Sequence, residues 1–304
     1  MLLKYYLKKL DYENKPEFIN KYLQTPSLLR LKKIGYFCGM DYASKDIYDF
    51  KEHITRYDHS LTVALLTWKF TKNKIMTLAG LFHDSGTPCF SHVIDYMNKD
   101  YANQESTEEY TEKILRNDAN LIKCLEEDNI DVESIINFKD YSIVDNNRPK
   151  LCADRLDGII LTGISWTKNV NYCEIDKIID DIEIYINEND LEEIGFKTKE
   201  AAKLVLDISK SIDIYCHSNE DNYMMELLAE ITRTLINNKI ITYEELYTLN
   251  EEQIIKKIKK CKNENIKLLM NRFQTIKKEE IPVTKIENVK IRNIKPIVNN
   301  KRLE

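Results

Sequence analysis

The sequence predicts an all-α protein, a multi-helix bundle followed by a small C-terminal appendage of helices and short strands. Its 304 residues include only 7 glycines and 6 prolines, about a third of average usage. Few residues are therefore available for tight turns and glycine-rich phosphate loops. Apolar residues also recur at helical spacing along most of the chain, and no run approaches the roughly 18 apolar residues of a membrane-spanning helix.

The first strongly periodic segment is 54–71, where apolar residues recur at i, i+3, i+4 and i+7 from Leu61. A second apolar stripe begins at Val63, which predicts a helix that is buried on most sides. Residues 75–84 predict a second helix. The segment SGTPCFS then interrupts the pattern with a glycine and a proline, which predicts a loop before a short helix over 92–98.

Further helices are predicted at 107–116, 118–128, 132–138, 148–163, 171–187, 197–215, 222–237 and 243–278. Residues 281–294 instead alternate apolar and polar side chains, which predicts one or two strands. The change of pattern near residue 240 suggests a helical domain over 1–240 and a C-terminal unit over 241–304.

Charge and cysteine content predict a soluble cytoplasmic protein that binds neither membranes nor nucleic acid. The net charge is −5, and the lysine-rich run IIKKIKKCK is flanked by acidic residues, as expected of a solvated helix face. The seven cysteines form no C-x-x-C pair and give no disulfide framework. The N-terminus carries no apolar run of signal-peptide length, so a reducing compartment is expected.

Histidines and aspartates are the candidate metal ligands of the sequence. Four of the five histidines fall between residues 53 and 92, and His59 and His83 each lie beside an aspartate. Asp154 and Asp157 lie one turn apart on a later predicted helix, so Asp157 is placed to support Asp154. Imidazole and carboxylate ligands together suit Zn, Fe, Mn or Ni, and carboxylates also admit Mg.

Three ordered segments, TRYDHSLTVALL, LAGLFHDSGTPCFSH and CADRLDGII, resemble the successive motifs of the HD-domain metal-dependent phosphohydrolase superfamily. The resemblance covers roughly residues 30 to 235. It implies a helical HD-domain bundle with one divalent metal ion, held by the four ligands His59, His83, Asp84 and Asp154.

Within that superfamily the chain is most similar to the deoxynucleoside triphosphate triphosphohydrolase branch, through R-x-x-H-S-L, H-D-x-G-x-x-x-F-S-H and a later Y-x-H. The resemblance implies that Arg56 contacts phosphate, as suits a guanidinium fork, and that His92 lies beside the reacting phosphate. Asp95 would orient or activate a catalytic histidine. Tyr215 and His217 would line a nucleotide pocket.

Structural alternatives accompany three of these roles. Arg56 could simply pair with Asp58 or Glu52, and Tyr215 is equally well explained as a core residue. His217 is evenly balanced between a structural and a functional role. His53 is expected at the surface.

The chain also departs from that branch. Thr87 stands where the loop often carries another histidine, and Gly158 stands where the family has a tyrosine. The family's His-Glu pair aligns with Thr107 and Glu108, or with Asn103 in a shifted alignment, and no histidine occurs between His92 and His217. The second catalytic dyad therefore keeps Asp95 and lacks its histidine.

The resulting expectation is a hydrolase that uses metal-activated water on a nucleotide or a related small-molecule phosphate ester. One alternative is a catalytically weakened, nucleotide-binding regulatory protein, and another is a cyclic-nucleotide phosphodiesterase. The alternating C-terminal segment could extend a small sheet or mediate self-association, so a homo-oligomer is left open.

Overall fold

The structure is a computed structural model that describes residues 1–102, 110–283, 286 and 289–303. Helices dominate these ranges. They are α1 (Leu2–Lys9), α2 (Ile19–Tyr22), α3 (Pro26–Arg30), α4 (Arg56–Thr71), α5 (Lys74–Phe82), α6 (Val93–Asn98), α7 (Thr111–Arg116), α8 (Ala119–Glu127), α9 (Glu133–Ile136), α10 (Ala153–Ser165), α11 (Tyr172–Asp181), α12 (Lys199–Cys216), α13 (Asn219–Asn237), α14 (Glu245–Thr248), α15 (Glu251–Lys260) and α16 (Glu264–Thr275).

Helix α4 is the centre of the fold. Thr55 and Asp58 form a reciprocal capping box at its start, which satisfies two of the free backbone N–H groups of the first turn. Most residues from His59 to Thr67 are buried, in agreement with the two apolar stripes of the sequence. Helices α5 and α10 pack against α4, so side chains of all three helices can meet at one place.

The all-α prediction is wrong, because a four-stranded mixed sheet accompanies the helices. Its strands are β1 (Ile182–Ile186), β2 (Glu192–Phe196), β3 (Ile297–Val298) and β4 (Lys301–Arg302). Strands β1 and β2 are antiparallel with Ile184 opposite Ile194. Strand β2 pairs with β3 in parallel, and β3 with β4 antiparallel. The fold is therefore α+β, with a small sheet beside a predominantly helical body.

The prediction of a helix in place of β1 has a local cause. Residues 171–187 were predicted as one helix, but α11 ends at Asp181 and the segment IEIYI continues as β1. Its alternating, β-branched composition favours a strand. The polar turn after it, in which Asp190 adopts a positive φ of 57°, reverses the chain into β2.

The chain end also differs from the prediction. The described residues within 281–294 lie in no strand, and the strands of this region lie beyond them, at Ile297–Val298 and Lys301–Arg302. Residues 289–298, named here the C-terminal strap, run back over the helical body. The Lys290 and Lys295 backbone N–H groups donate to the carbonyls of Tyr101 and Pro149, at 3.0 and 2.8 Å.

The remaining helices follow the predicted pattern with shifted ends. The segment predicted as one helix over 243–278 is three helices, α14 to α16, and α10 begins at Ala153 rather than near residue 148. Among the described residues, no helix combines the length and the apolar character needed to cross a membrane.

Candidate metal centre

Four side chains converge beside the first turn of α4. His59 lies on α4, His83 and Asp84 follow α5 directly, and Asp154 lies in the first turn of α10. The Asp154 Oδ1 atom is 3.0 Å from His59 Nε2 and 3.4 Å from His83 Nε2. Ligand atoms about 2.1 Å from a shared ion lie about 3 to 4 Å from one another, so this spacing fits a bound cation.

Asp157 fixes the orientation of His59. Its Oδ2 atom lies 2.7 Å from His59 Nδ1, and the hydroxyls of Tyr6 and Thr62 also donate to this buried carboxylate, at 2.7 and 2.9 Å. With Nδ1–H donating to Asp157, the Nε2 atom of His59 faces Asp154. A carboxylate behind a ligating histidine is the usual outer partner of a metal site.

His83 is oriented in the same way by the backbone. Its Nδ1 atom lies 2.7 Å from the carbonyl of Gly80, which can only accept, so this nitrogen carries the proton. In its neutral form the ring then presents the Nε2 lone pair to Asp154. This Nε2 atom is buried and has no hydrogen-bond partner. A buried acceptor without a partner is costly, and a cation would satisfy it.

Asp84 completes the group and connects it to Arg56. Its Oδ2 atom accepts from Arg56 Nη1 at 2.9 Å and lies 3.8 Å from His59 Nε2, while Oδ1 lies 3.9 Å from His83 Nε2. Burial would raise the pKa of Asp84, but the positive charges of Arg56 and the two histidines hold that pKa well below its usual range. Asp84 is therefore an ionised carboxylate.

The charges of the group favour a cation. Burial would lower the pKa of His59, but its hydrogen bonds with Asp154 and Asp157 raise that pKa to about 10. Two ionised carboxylates, those of Asp84 and Asp154, face the Nε2 atoms of His59 and His83. A divalent ion would take the place of the protons that otherwise balance these carboxylates.

His92 and Asp95 form a pair near the centre. The Nδ1 atom of His92 lies 2.8 Å from Oδ2 of Asp95, a carboxylate with no exposed surface. The preceding residues Phe90 and Ser91 adopt φ values of 66° and 45°, a region that residues with a Cβ seldom occupy. The loop that carries His92 therefore needs external support.

That support comes from beyond the predicted domain boundary near residue 240. The Cys89 N–H donates to the Leu246 carbonyl at 2.7 Å, and the Phe90 N–H donates to Glu251 Oε1 at 3.2 Å. Arg30 donates to the carbonyls of both Thr87 and Leu246. Contacts from α14 and α15 thus fix the loop on which His92 stands.

A cavity of about 790 Å³ opens from these side chains. It brings together six of the residues singled out in the sequence, namely Arg56, His59, His83, Asp84, His92 and Asp154. Asp95 lies behind His92. Tyr215 is 44% exposed and contacts Trp166, and His217 Nδ1 donates to the Asp213 carbonyl. Neither Tyr215 nor His217 lines the cavity, and their roles in binding remain predictions.

Sequence reasoning missed several residues of the lining. Tyr36 packs against His59 with ring centroids 5.1 Å apart, and the Arg56 guanidinium lies 4.9 Å from its ring centre. A Cβ atom on Gly158 would lie 2.8 Å from the Tyr36 hydroxyl. Tyr36 therefore occupies the space beside Gly158, the position at which the resemblance noted in the sequence implied a tyrosine from α10.

Nine charged residues of the described lining were also missed, namely Lys139, Asp140, Asp145, Arg148, Lys150, Arg155, Asp221, Lys290 and Arg292. Of these nine, only Arg155 could have been found from the sequence, because it follows Asp154 directly in the motif DRLD. The positions that replace the missing histidine and its glutamate, Asn103, Thr107 and Glu108, lie outside the described residues.

No family model matches the chain. It is 25% identical over 225 residues to the uncharacterized protein YdhJ of Bacillus subtilis (strain 168). The match covers 72% of this chain and 66% of that relative, slightly under two thirds of the relative's length.

Proposed function

We propose that this protein is a metal-dependent phosphohydrolase that acts on a nucleotide or a related phosphate ester. The observation that carries the proposal is the convergence of His59, His83, Asp84 and Asp154 in the wall of one cavity. The buried, unpartnered Nε2 atom of His83 supports a cation at that point. The cavity volume of about 790 Å³ also suits a ligand of nucleotide size.

His59, His83, Asp84 and Asp154 would hold the ion. When bound, a divalent cation supplies Lewis-acid activation of water and of a phosphoryl oxygen. The chemistry of the ligands suits Fe, Mn, Ni or Zn, and the carboxylates also admit Mg.

The chain's own side chains contribute binding and charge. Arg56 is held by Asp84 and by the face of Tyr36, so its guanidinium is oriented towards the cavity beside the proposed ion. Such a cation stabilises the negative charge that develops on a transferring phosphoryl group. His92, with Nδ1 bonded to Asp95, presents its Nε2 atom to solvent or ligand and can donate a proton or a hydrogen bond there.

The test measures metal content and phosphate release together. We expect the purified protein to retain a divalent metal and to release phosphate from one or more members of a nucleotide panel that includes cyclic nucleotides. Asp84→Asn and Asp154→Asn should lower both metal retention and turnover, the latter on the order of 100-fold or more. Both variants keep a polar side chain of the same size, so the fold is disturbed little.

His53→Ala is the matched control, because this histidine lies outside the cavity lining and its side chain is 67% exposed. It should leave metal content and turnover unchanged. Equal turnover in the wild type and in both aspartate variants would refute the proposal. Nucleotide binding with metal but without release would instead favour the regulatory alternative.

A further inference from the structure

The cavity carries the opposite charge balance from the whole chain. Among the described residues, its lining contains seven Lys and Arg side chains against five Asp and no Glu, whereas the chain has a net charge of −5. A divalent ion at the centre would add two more positive charges. An excess of positive charge confined to one cavity favours an anionic ligand with more than one negative charge.

Two of the seven cations come from the C-terminal strap. Lys290 and Arg292 lie on it and line the cavity. The strap is fixed on both sides of Arg292, because the Arg292 N–H donates to Asp213 Oδ1 at 2.9 Å and the Ser209 hydroxyl donates to its carbonyl at 3.2 Å. This backbone is therefore held against α12, and Arg292 is presented to the cavity from a fixed position.

Arg148 comes from a different segment, before α10, and is bonded to the same strap. Its Nη1 atom donates to the Asn293 carbonyl at 3.2 Å. Burial, together with the positive charges of Arg155 and Arg292, lowers the pKa of Arg148 to about 10. Neighbouring guanidinium groups repel one another, and a bound anion relieves that repulsion.

The cations extend away from the metal centre. Arg56 contacts Asp84 at the centre itself. Arg292 lies near Asp221, Tyr96 and Cys216, none of which belongs to the metal group. A ligand that has one phosphoryl group at the centre can therefore meet Arg292 through a further anionic group.

We propose that Arg292 of the C-terminal strap and Arg148 form an anion subsite that binds the phosphate chain of the substrate beyond the phosphoryl group at the metal centre. This inference rests on the proposed function and refines it. The strap becomes a specificity-determining part of the pocket, and compounds with two or more linked phosphates are favoured over monophosphates. Arg guanidinium forks suit this task because they bind phosphate oxygens in pairs.

The first test measures binding without turnover. Inorganic tripolyphosphate and orthophosphate are titrated calorimetrically into the purified full-length protein, with metal content measured before and after. We expect tripolyphosphate to bind about tenfold or more tightly than orthophosphate. Arg292→Gln and Arg148→Gln should each weaken tripolyphosphate binding about tenfold, the loss of one charge-assisted hydrogen bond.

Lys295→Gln is the matched control, because it removes a positive charge from an exposed position on the same strap. Its tripolyphosphate affinity should equal that of the wild type. Arg292→Lys keeps the charge and should retain part of the affinity. Melting temperatures identify any variant that fails to fold, and Arg148→Gln tests the subsite from a different segment. Unchanged affinity in both arginine variants, or equal affinity for the two anions, would overturn the subsite.

The second test separates this inference from the proposed function. With a nucleoside triphosphate, Arg292→Gln should raise KM about tenfold and change kcat little, because the residue binds a part of the substrate away from the reacting bond. Turnover with an unchanged KM would refute the subsite and leave the phosphohydrolase intact. Arginine-dependent tripolyphosphate binding without turnover of any substrate would refute the hydrolase and keep the subsite.

Discussion

Glu251 illustrates how a single side chain outside the cavity supports the candidate site. It lies at the start of α15, is 2% exposed, and accepts from the Phe90 N–H of the loop that carries His92. Burial raises the pKa of Glu251 to about 8, with a further increase from the nearby charge of Asp41 and opposing contributions from backbone hydrogen bonds and from His53. Glu251 is therefore protonated in the folded protein at neutral pH.

This shift predicts a pH-dependent stability. Between the ordinary pKa of about 4.5 for a glutamate and the folded value of about 8, the folded chain keeps a proton that the unfolded chain has released. The free energy of unfolding should therefore decrease as pH rises through this window, by up to about 1.4 kcal/mol per pH unit. Glu251→Gln keeps an acceptor for Phe90 and should remove this contribution.

Urea unfolding of both proteins at intervals from pH 5 to pH 8 measures the effect. The wild type should lose stability relative to Glu251→Gln as pH increases. His53, whose pKa is also raised through its hydrogen bond with Asp41, contributes to the same window in both proteins, so the comparison reports the proton of Glu251 together with its interaction with His53. Parallel stability curves would show that Glu251 does not bind this proton.

At the scale of elements, two glycines determine how closely the loop after α5 and the helix α10 approach their neighbours. A Cβ atom on Gly86 would lie 2.2 Å from Thr111 Oγ1 and 2.7 Å from the Thr111 backbone. A Cβ atom on Gly158 would meet only the Tyr36 hydroxyl, at 2.8 Å. Backbone cannot yield at the first position, whereas the end of a side chain can move at the second.

Alanine at these two positions should therefore have opposite effects. Gly86→Ala should destabilise the protein by about 1–3 kcal/mol, because the loop and α7 must separate. Gly158→Ala lies within α10, where alanine favours the helix by about 0.5–1 kcal/mol, so stability should be kept or increased. Displacement of Tyr36 from Arg56 should still lower the proposed phosphatase activity.

Thermal unfolding and phosphate release of the two variants provide the measurement. A stable Gly86→Ala protein with full activity would show that the loop can move away from Thr111. A Gly158→Ala protein with wild-type activity would show that the position of Tyr36 is not required.

At the scale of the whole molecule, the small sheet attaches the C-terminus to the body. Glu193 in β2 is fully buried, and both of its carboxylate oxygens accept from Arg302 in β4, each at 2.9 Å. The Leu151 N–H and the Asn187 side chain donate to the same carboxylate. Because β3, the end of the strap, pairs with β2 and with β4, the ion pair between Glu193 and Arg302 holds the strap in place.

Removal of Arg302 should therefore destabilise the fold. Arg302→Gln leaves the Glu193 carboxylate buried without its cation and should lower the free energy of unfolding by about 3 kcal/mol. The double variant Glu193→Gln/Arg302→Gln removes the unpaired charge and should recover part of this loss. Chemical denaturation measures the free energy of unfolding of both variants, with Lys301→Gln as the exposed control.

A change below about 0.5 kcal/mol in Arg302→Gln, the usual effect of a surface substitution, would contradict the prediction. A double variant no more stable than the single one would show that the cost does not come from the unpaired Glu193 carboxylate.

Local pattern located most helices of the body, although several of their ends were wrong, and it supplied the ligand candidates. The apolar stripes from Leu61 and Val63 correspond to the buried α4, and the motif spacing singled out side chains that the fold places around one cavity. That His59, His83, Asp84 and Asp154 bind a metal ion stays a prediction. The strand IEIYI was missed although its alternation was visible, because an amphipathic helix precedes it directly and the two patterns were read as one.

The sequence by itself determined which residues could perform the chemistry, because imidazole and carboxylate groups at helical spacing are a local property of the chain. Only the tertiary structure decided what surrounds them. Tyr36 beside Gly158, Arg148 bonded to the strap, and Arg292 of the strap itself meet through contacts between distant segments. Such contacts depend on how helices pack and where a short parallel strand pairs, and no local periodicity encodes either.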